Sequence, residues 1–390
     1  MVPESSSLSP SESLWPAFAA IAGATLFAIV FMWAETEAYV LGAIAAAAAC
    51  AWAARRFGVS ARAARIFATR EKVLDWGAIA GTLVLLAAFH EEHFPLLMTA
   101  TVLLYLVACL GLNIQFGYAG VLNFAAAAFF GVGGYTAAVL IRHTGIPHPI
   151  VLLIGGAMAA LIGLVLVLPV LRTRGHYAAV ITIAFAILFR TFLEVNDALG
   201  GPQGLKLPGL QVFGWNFNRN FEIAGIGLSF YVNYVLLALA LAAVAFALTR
   251  RLERSWIGLT LDAVRLDETA AACFGVHLAR WKALSFTLGN FMAGVAGAVY
   301  ALMLGFIAPS NFTFGDSLIM VSIVLLGGIG NPWGVVLASA IVVVLPEKLQ
   351  LIQEYRFILY ATMVILVLLF RPEGLLPRRL RVYFPGWNPK

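Results

Sequence analysis

Charge is what this sequence has least of. Asp, Glu, Lys and Arg make up 11% of its 390 residues, against 62% hydrophobic residues, where an ordinary soluble domain carries about 25% charged residues. So small a supply cannot cover a surface facing water. That excludes a water-soluble enzyme, a disordered chain and a secreted disulfide scaffold. Cysteine is scarce too: Cys50, Cys109 and Cys273 form no C-x-x-C pair, so they imply no zinc site and read as small buried residues. G-x-S-x-G and H-E-x-x-H are absent, and none of Lys72, Lys206, Lys282, Lys348 and Lys390 follows a glycine. There is no Walker A loop for ATP. The opening segment up to Pro16 contains Glu4 and Glu12 but no basic residue, which is not the n-region of a cleaved signal peptide. It reads as part of an uncleaved membrane anchor.

Long apolar runs are abundant. A helix needs about 20 apolar residues to span a bilayer, and such runs lie near 14–33, 38–54, 74–90, 95–112, 118–141, 149–171, 177–193, 228–249, 281–304 and 355–370. These solid blocks lack the alternation of barrel strands. The expected fold is all-α, a polytopic transmembrane bundle of about ten spanning helices plus a re-entrant pair. The sequence divides into an N-terminal extension over 1–73 with two such helices and a basic loop, a core over 74–377 and a basic tail over 378–390. Within the core sit a loop at 195–227 and another at 250–280.

Net charge is +6, yet the basic residues cluster between apolar runs instead of forming a nucleic-acid groove. The stretches 55–72, 172–176, 250–282 and 371–390 hold six, two, six and five of them. The positive-inside bias then puts these segments and both termini in the cytoplasm, with 195–227 outside. A single crossing by the apolar stretch 317–346 would give the tail the wrong parity. That stretch is broken at Gly327, Gly328, Gly330 and Pro332 into pieces counted as 11 and 12 residues, each too short to span. The expectation is a pair that enters and leaves from the outer side, with a kinked single crossing as the alternative.

Ionisable residues are nearly missing from the membrane runs, which argues against a proton- or ion-coupled carrier. It favours a cargo of zero net charge, zwitterionic or polar and neutral. Asn113, Gln115, Tyr118, Asn123, Tyr135, Asn290 and Tyr300 are the polar candidates for lining a passage, although bonds between helices are the simpler explanation for any single one of them. His90 and His93 flank two glutamates, but a metal site needs a third ligand that the sequence does not place nearby. The loop 250–280 has Ile257, Leu261 and Val264 on one helical face and Asp262, Arg265 and Glu268 on another, then Ala270, Ala271 and a stopping Gly275. This predicts one short amphipathic helix from Ser255 to Phe274. With Asp267 and Glu268 offsetting its arginine, it suits a protein groove better than an anionic lipid surface.

These motifs resemble the permease subunit of branched-chain amino acid ABC importers, the LivM-like family. The likeness runs from about residue 94 to 377 and rests on GLNIQFGYAGVLNFAAAAFFGVGGYTAAVL (111–140), GGPQGL (200–205), RSWIGLTLDAVRLDETAAACFGVHLARWKALSF (254–286), FMAGVAGAVYALMLGFIAPSNFTFGDSL (291–318) and LLGGIGNPWGVVLASAIVVVLPE (325–347). The resemblance implies a non-enzymatic permease of the bacterial inner membrane that pairs with a second homologous permease, two cytoplasmic ATPase subunits and an external solute-binding protein. ATP and Mg would sit on the partners, with no cofactor in this chain. The loop at 255–275 would be the coupling helix, and Asp262, Arg265, Asp267, Glu268, Ala270, Ala271 and Gly275 would meet the ATPase. Thr269 stands where the general motif has glutamate, so that position's role does not carry over. Where the family commonly reads L-S-L-G-H, this chain has Leu122-Asn123-Phe124-Ala125-Ala126, which leaves the cargo open among aliphatic amino acids, urea, amides and aromatic acids. A stand-alone channel for a solute such as urea, and with less support an intramembrane enzyme using His90 and His93, are the alternatives.

Overall fold

The computed structural model describes residues 15–34, 36–56, 71–173, 176–212, 214–223, 226–348, 355–370 and 373–378. The basic positions Arg62, Arg65, Arg70 and Arg174 and the tail beyond Arg378 lie outside the described residues. The apolar blocks become helices: α1 (Trp15–Trp33), α2 (Glu37–Arg56), α3 (Glu71–Ala88), α4 (His93–Asn113), α5 (Ala126–His143), α6 (His148–Arg172), α7 (His176–Val195), α8 (Tyr231–Glu253), α9 (Trp256–Leu266), α10 (Glu268–Cys273), α11 (Leu278–Leu304), α12 (Phe314–Gly327), α13 (Pro332–Lys348) and α14 (Arg356–Phe370). A π-helical turn, Ile114–Tyr118, extends α4. Seven helices among the described residues are long and apolar enough to cross a membrane: α1, α4 with its π turn, α6, α7, α8, α11, and α12 with the turn before it. The ten expected runs are not all among them. α3 carries Glu71, Lys72 and Asp75 in its 18 residues, α5 is rich in alanine and glycine, and α14 has only 15 residues. The chain is a multi-pass membrane protein.

Packing divides the chain at Leu96, beyond the boundary expected at residue 73. In the first unit α3 lies on α1, with Gly77 and Gly81 facing Ile21 and Thr25. Lys348 belongs to this unit. Its Nζ donates to the carbonyls of Met32 (2.5 Å) and Ala34 (3.0 Å), satisfying acceptors that the end of α1 leaves open. Cys50 is exposed on α2 and Cys273 is exposed at the end of α10, whereas Cys109 is buried. The expectation that all three are buried fails for two, because an apolar run fixes only that a helix forms and not which face meets protein.

The second unit is built around α11. Its 27 residues span about 40 Å at the helical rise, and α5 and α6 pack along it through small side chains. A Cβ on Gly133 would overlap the Gly294 carbonyl, and one on Gly297 would overlap the Phe130 carbonyl. With no water to drive helices together in lipid, such close backbone approach supplies the contact energy.

One end of α11 carries the loop at 195–227. It holds two 3-10 turns and short strands β1 (Leu205–Lys206), β2 (Gln211–Val212), β3 (Trp215–Asn216), β4 (Phe221–Ile223) and β5 (Ile226–Leu228), with β6 (Phe306–Ile307) beyond α11. β1 pairs with β6, β2 with β3 and β4 with β5, all antiparallel. These ladders are an addition to the all-α expectation. Tyr234 Oη locks the loop down, accepting from Leu210 N (3.1 Å) and donating to Asn218 Oδ1 (2.6 Å).

At the other end lie α9 and α10, where a single helix was expected. Asp267 divides them: its backbone is extended, and its Oδ1 accepts from Thr269 N (2.8 Å) and Ala270 N (3.0 Å). It is an N-cap, and an N-cap residue starts a helix instead of continuing one. The stretch at 317–346 also departs from expectation. A capping box between Thr313 and Asp316 starts α12 early, and Pro332 at the first turn starts α13 early, giving 14 and 17 residues. The turn between them is made by Gly328 (φ 109°) and Gly330 (φ 88°), a region only glycine enters freely. That turn sits at the α9 end, since Gly330 N donates to Asn113 Oδ1 (2.7 Å) and Asn331 Nδ2 to Leu376 O (3.1 Å). The two pieces are thus longer than the 11 and 12 residues counted from the sequence, and α12 with the turn before it is long and apolar enough to cross a membrane. Arg378, beyond α14, lies at the same end as α9, where it meets Asp262.

Gly133→Leu is expected to overpack the α5–α11 crossing and cost about 1–3 kcal/mol, seen as a lower melting temperature of the detergent-purified chain. An unchanged melting temperature would show that this crossing tolerates bulk.

Candidate functional site

Between the π turn and α5 the chain is not helical, although an unbroken helix over 118–141 was expected. Gly120 has φ 67°, and the Asn123 side chain captures a backbone N–H that a helix would otherwise use. Non-helical backbone at membrane depth must be satisfied by protein, and here three side chains supply the acceptors. Phe124 N donates to Thr182 Oγ1 of α7 (3.0 Å), Ala125 N to Asn123 Oδ1 (2.9 Å) and Ala127 N to Ser317 Oγ of α12 (3.1 Å).

Asn123 joins this backbone to a buried amide triad. Its Nδ2 donates to Gln115 Oε1 (2.8 Å) and Asn290 Oδ1 (3.1 Å), and Gln115 Nε2 donates to Asn290 Oδ1 (3.0 Å) and the Phe286 carbonyl (3.0 Å). Each of the three amides is 1% exposed. The other sequence-predicted path residues lie elsewhere. Asn113 holds the glycine turn, Tyr118 lies under the Arg378 guanidinium at 4.3 Å, and Tyr135 and Tyr300 join an aromatic cluster with Phe312 and Phe130 (6.0 and 5.3 Å). Among the described residues, Asn113 Nδ2, Tyr118 Oη, Tyr135 Oη and Asn290 Nδ2 are buried without a hydrogen-bond partner. Native interiors leave few such groups.

The α9 end collects the charges. Arg378 grips Asp262 with both Nη atoms (2.6 and 2.9 Å), Arg265 Nη1 donates to the Gly117 carbonyl (2.6 Å), and Lys282 pairs with Glu268 (2.6 Å). Burial and the neighbouring Arg378 push the Arg265 guanidinium below its ordinary pKa, and Asp262 opposes them. The charged residues expected to face a partner therefore have partners within the chain. Ala271 is buried, while Ala270 and Gly275 are exposed. Beside the exposed Arg265, Asp267 and Glu268, α9 and α10 present large apolar side chains outward: Trp256 and Leu266 are each 69% exposed and Phe274, just past α10, 88%. Sequence reasoning missed Ser317, hidden in an apolar run, and Arg378, which it used only to orient the tail. In the first unit His90 pairs with Glu91 (3.6 Å), and the described residues hold no group of three or more His, Cys, Asp or Glu fit to bind a metal.

The family described as branched-chain amino acid transport system, permease component, matches residues 94–369. The high-affinity branched-chain amino acid transport system permease protein LivM of Escherichia coli K12 is 34% identical over 289 residues, covering 70% of this chain and 68% of that protein. LivH of the same organism is 26% identical over 290 residues, 70% of this chain and 91% of its own. BraD of Pseudomonas aeruginosa is 26% identical over 290 residues, 70% and 92%. No solved structure matches the chain.

Gln115→Leu removes a donor and an acceptor from the triad and is expected to lower stability by about 1–3 kcal/mol. Asn290→Ala removes only an acceptor shared by two donors that keep other partners, and should cost less, about 1 kcal/mol. Thermal unfolding of the two variants in detergent checks that order; an equal or inverted cost would show that the triad does not act as a unit.

Proposed function

This chain belongs to the permease-component family of branched-chain amino acid transport systems, and on that premise we propose that it forms part of the pathway of an ATP-driven importer for leucine, isoleucine and valine. The printed names of its relatives concern branched-chain amino acids, which favours that cargo over urea and the importer over a stand-alone channel. A zwitterion also fits the interior, where amides and tyrosines are plentiful and charge is scarce. Asn113, Gln115, Tyr118, Asn123, Tyr135, Asn290 and Tyr300 are the proposed path residues. The orphaned polar atoms of Asn113, Tyr118, Tyr135 and Asn290 suit a passage that is closed here and meets water or cargo when it opens.

Energy comes from outside the chain in this reading. Two cytoplasmic ATPase subunits, carrying ATP and Mg, push on α9 and α10. A second permease, related as LivH is to LivM, completes the pathway, and an external solute-binding protein docks on the loop at 195–227. The assembly sits in the bacterial inner membrane with both termini inside, as the clustered arginines favour.

The observation that carries the proposal is the outward apolar face of α9 and α10. Leu259, Leu266 and Phe274 project from an end of the bundle rich in arginine, and Asp267 and Glu268 border them. An apolar ridge with an acidic border suits a groove in a protein partner. Each side chain fully buried on docking contributes about 2 kcal/mol.

Phe274→Ala is expected to weaken capture of the ATPase subunits about 30-fold and to lower ATP-dependent uptake of labelled leucine in parallel, with the permease still folded. Uptake by the lone chain in ATP-free liposomes would overturn the importer reading in favour of a facilitator.

A further inference from the structure

We propose that Arg378 is a positioning residue for transport: it fastens the coupling helix α9 to the glycine turn between α12 and α13. The inference rests on the importer reading above and names the link by which motion of α9 would reach the membrane helices.

The geometry is that of a clip with several jaws. Two Nη atoms hold Asp262 on α9, and Nη1 also donates to the Gly117 carbonyl (3.1 Å), the same oxygen that Arg265 reaches from α9. The guanidinium plane covers the Tyr118 ring at 4.3 Å, and Nε lies 3.9 Å from Glu253 at the end of α8. Gly330 of the glycine turn lies against the Arg378 side chain and the Gly117 carbonyl. The segment that bears Arg378 is itself fixed to α12, because Leu375 N donates to Leu326 O (2.8 Å) and Leu376 N to Gly327 O (3.1 Å). One side chain, 7% exposed, thus touches α8, α9, the π turn of α4 and the turn joining α12 to α13.

Two features make this a link and not merely a tail tucked into place. Beside it lies an open pocket of about 280 Å³ lined by Asp262, Arg265, Leu266, Ile329, Glu373, Pro377 and Arg378. On that side α9 and the turn are not packed against each other, and the Arg378 side chain bridges them, bonded to Asp262 and in contact with Gly330. The second feature is the cost of release. A charge this buried cannot part from its carboxylate without being stranded, so a displacement of Asp262 carries Arg378 with it, and Arg378 carries the Gly117 carbonyl over Gly330. Coupling between distant sites needs such an element that both sites bias.

The test uses the full complex with both ATPase subunits, the second permease and the binding protein in proteoliposomes, reading labelled leucine moved per ATP hydrolysed. Arg378→Met is expected to leave assembly and hydrolysis intact while lowering leucine per ATP about tenfold. Arg378→Lys, which keeps the charge and loses the paired grip, should fall between, and Arg378→Asp combined with Asp262→Arg should recover part of the loss. A purely structural role would lower hydrolysis and uptake together and would show no rescue by the charge swap, which overturns the inference. So does a ratio within about twofold of the parent. If Arg378→Met fails to assemble, Arg378→Lys decides by the same ratio. A parent complex with no ATP-dependent uptake would instead sink the importer reading itself.

Discussion

Inside a bilayer no water stands ready to satisfy an amide, so every break in a helix must find its partners in the protein. That constraint organises the second unit. The unwound stretch before α5 exists because Thr182, Asn123 and Ser317 take up its N–H groups, and the turn after α12 exists because Asn113 and Asn331 hold it. Asn123 also ties the first break to Gln115 and Asn290. The first break is thus connected through amides to α11, and α11 is held to α5 and α6 by contacts that only small residues permit.

At the α9 end the glycine turn, the π turn and the segment at 373–378 meet, joined by close backbone approach at Gly117, Gly328 and Gly374, by hydrogen bonds and by the ion pair of Arg378 with Asp262. Ion pairs of this kind add little net stability compared with apolar packing. Their use is directional, since they connect chosen elements and leave others free. An importer needs this combination, because a rigid core can change access only by moving as a body when something pulls at one end.

Much of the fold was legible in the sequence, since 62% hydrophobic content and uninterrupted runs leave a helical membrane protein as the only economical reading. The loop at 250–280 announced itself through Leu261 and Val264, which are both buried. The rest was hidden for physical reasons. Asp267 looks like a surface charge, yet as an N-cap it splits the helix. Gly328 and Gly330 signal a break, but the lengths of the flanking helices depend on Thr313, Asp316 and Pro332, which a hydropathy count ignores. The clustering of Gln115, Asn123 and Asn290 joins residues 167 or more positions apart for two of its three bonds, and periodicity is blind to such distances. Arg378 was legible as one basic residue among several; its grip on Asp262 spans 116 positions.

The central claim is that α9 and α10 face the cell interior and receive force there from another polypeptide. Cys273, exposed at the end of α10, is a natural reporter. In a Cys50→Ser variant of the assembled complex, a membrane-impermeant maleimide should label Cys273 in inside-out vesicles and leave it untouched in intact cells, and bound ATPase subunits should slow the labelling. Rapid labelling of Cys273 from outside intact cells would contradict the claim.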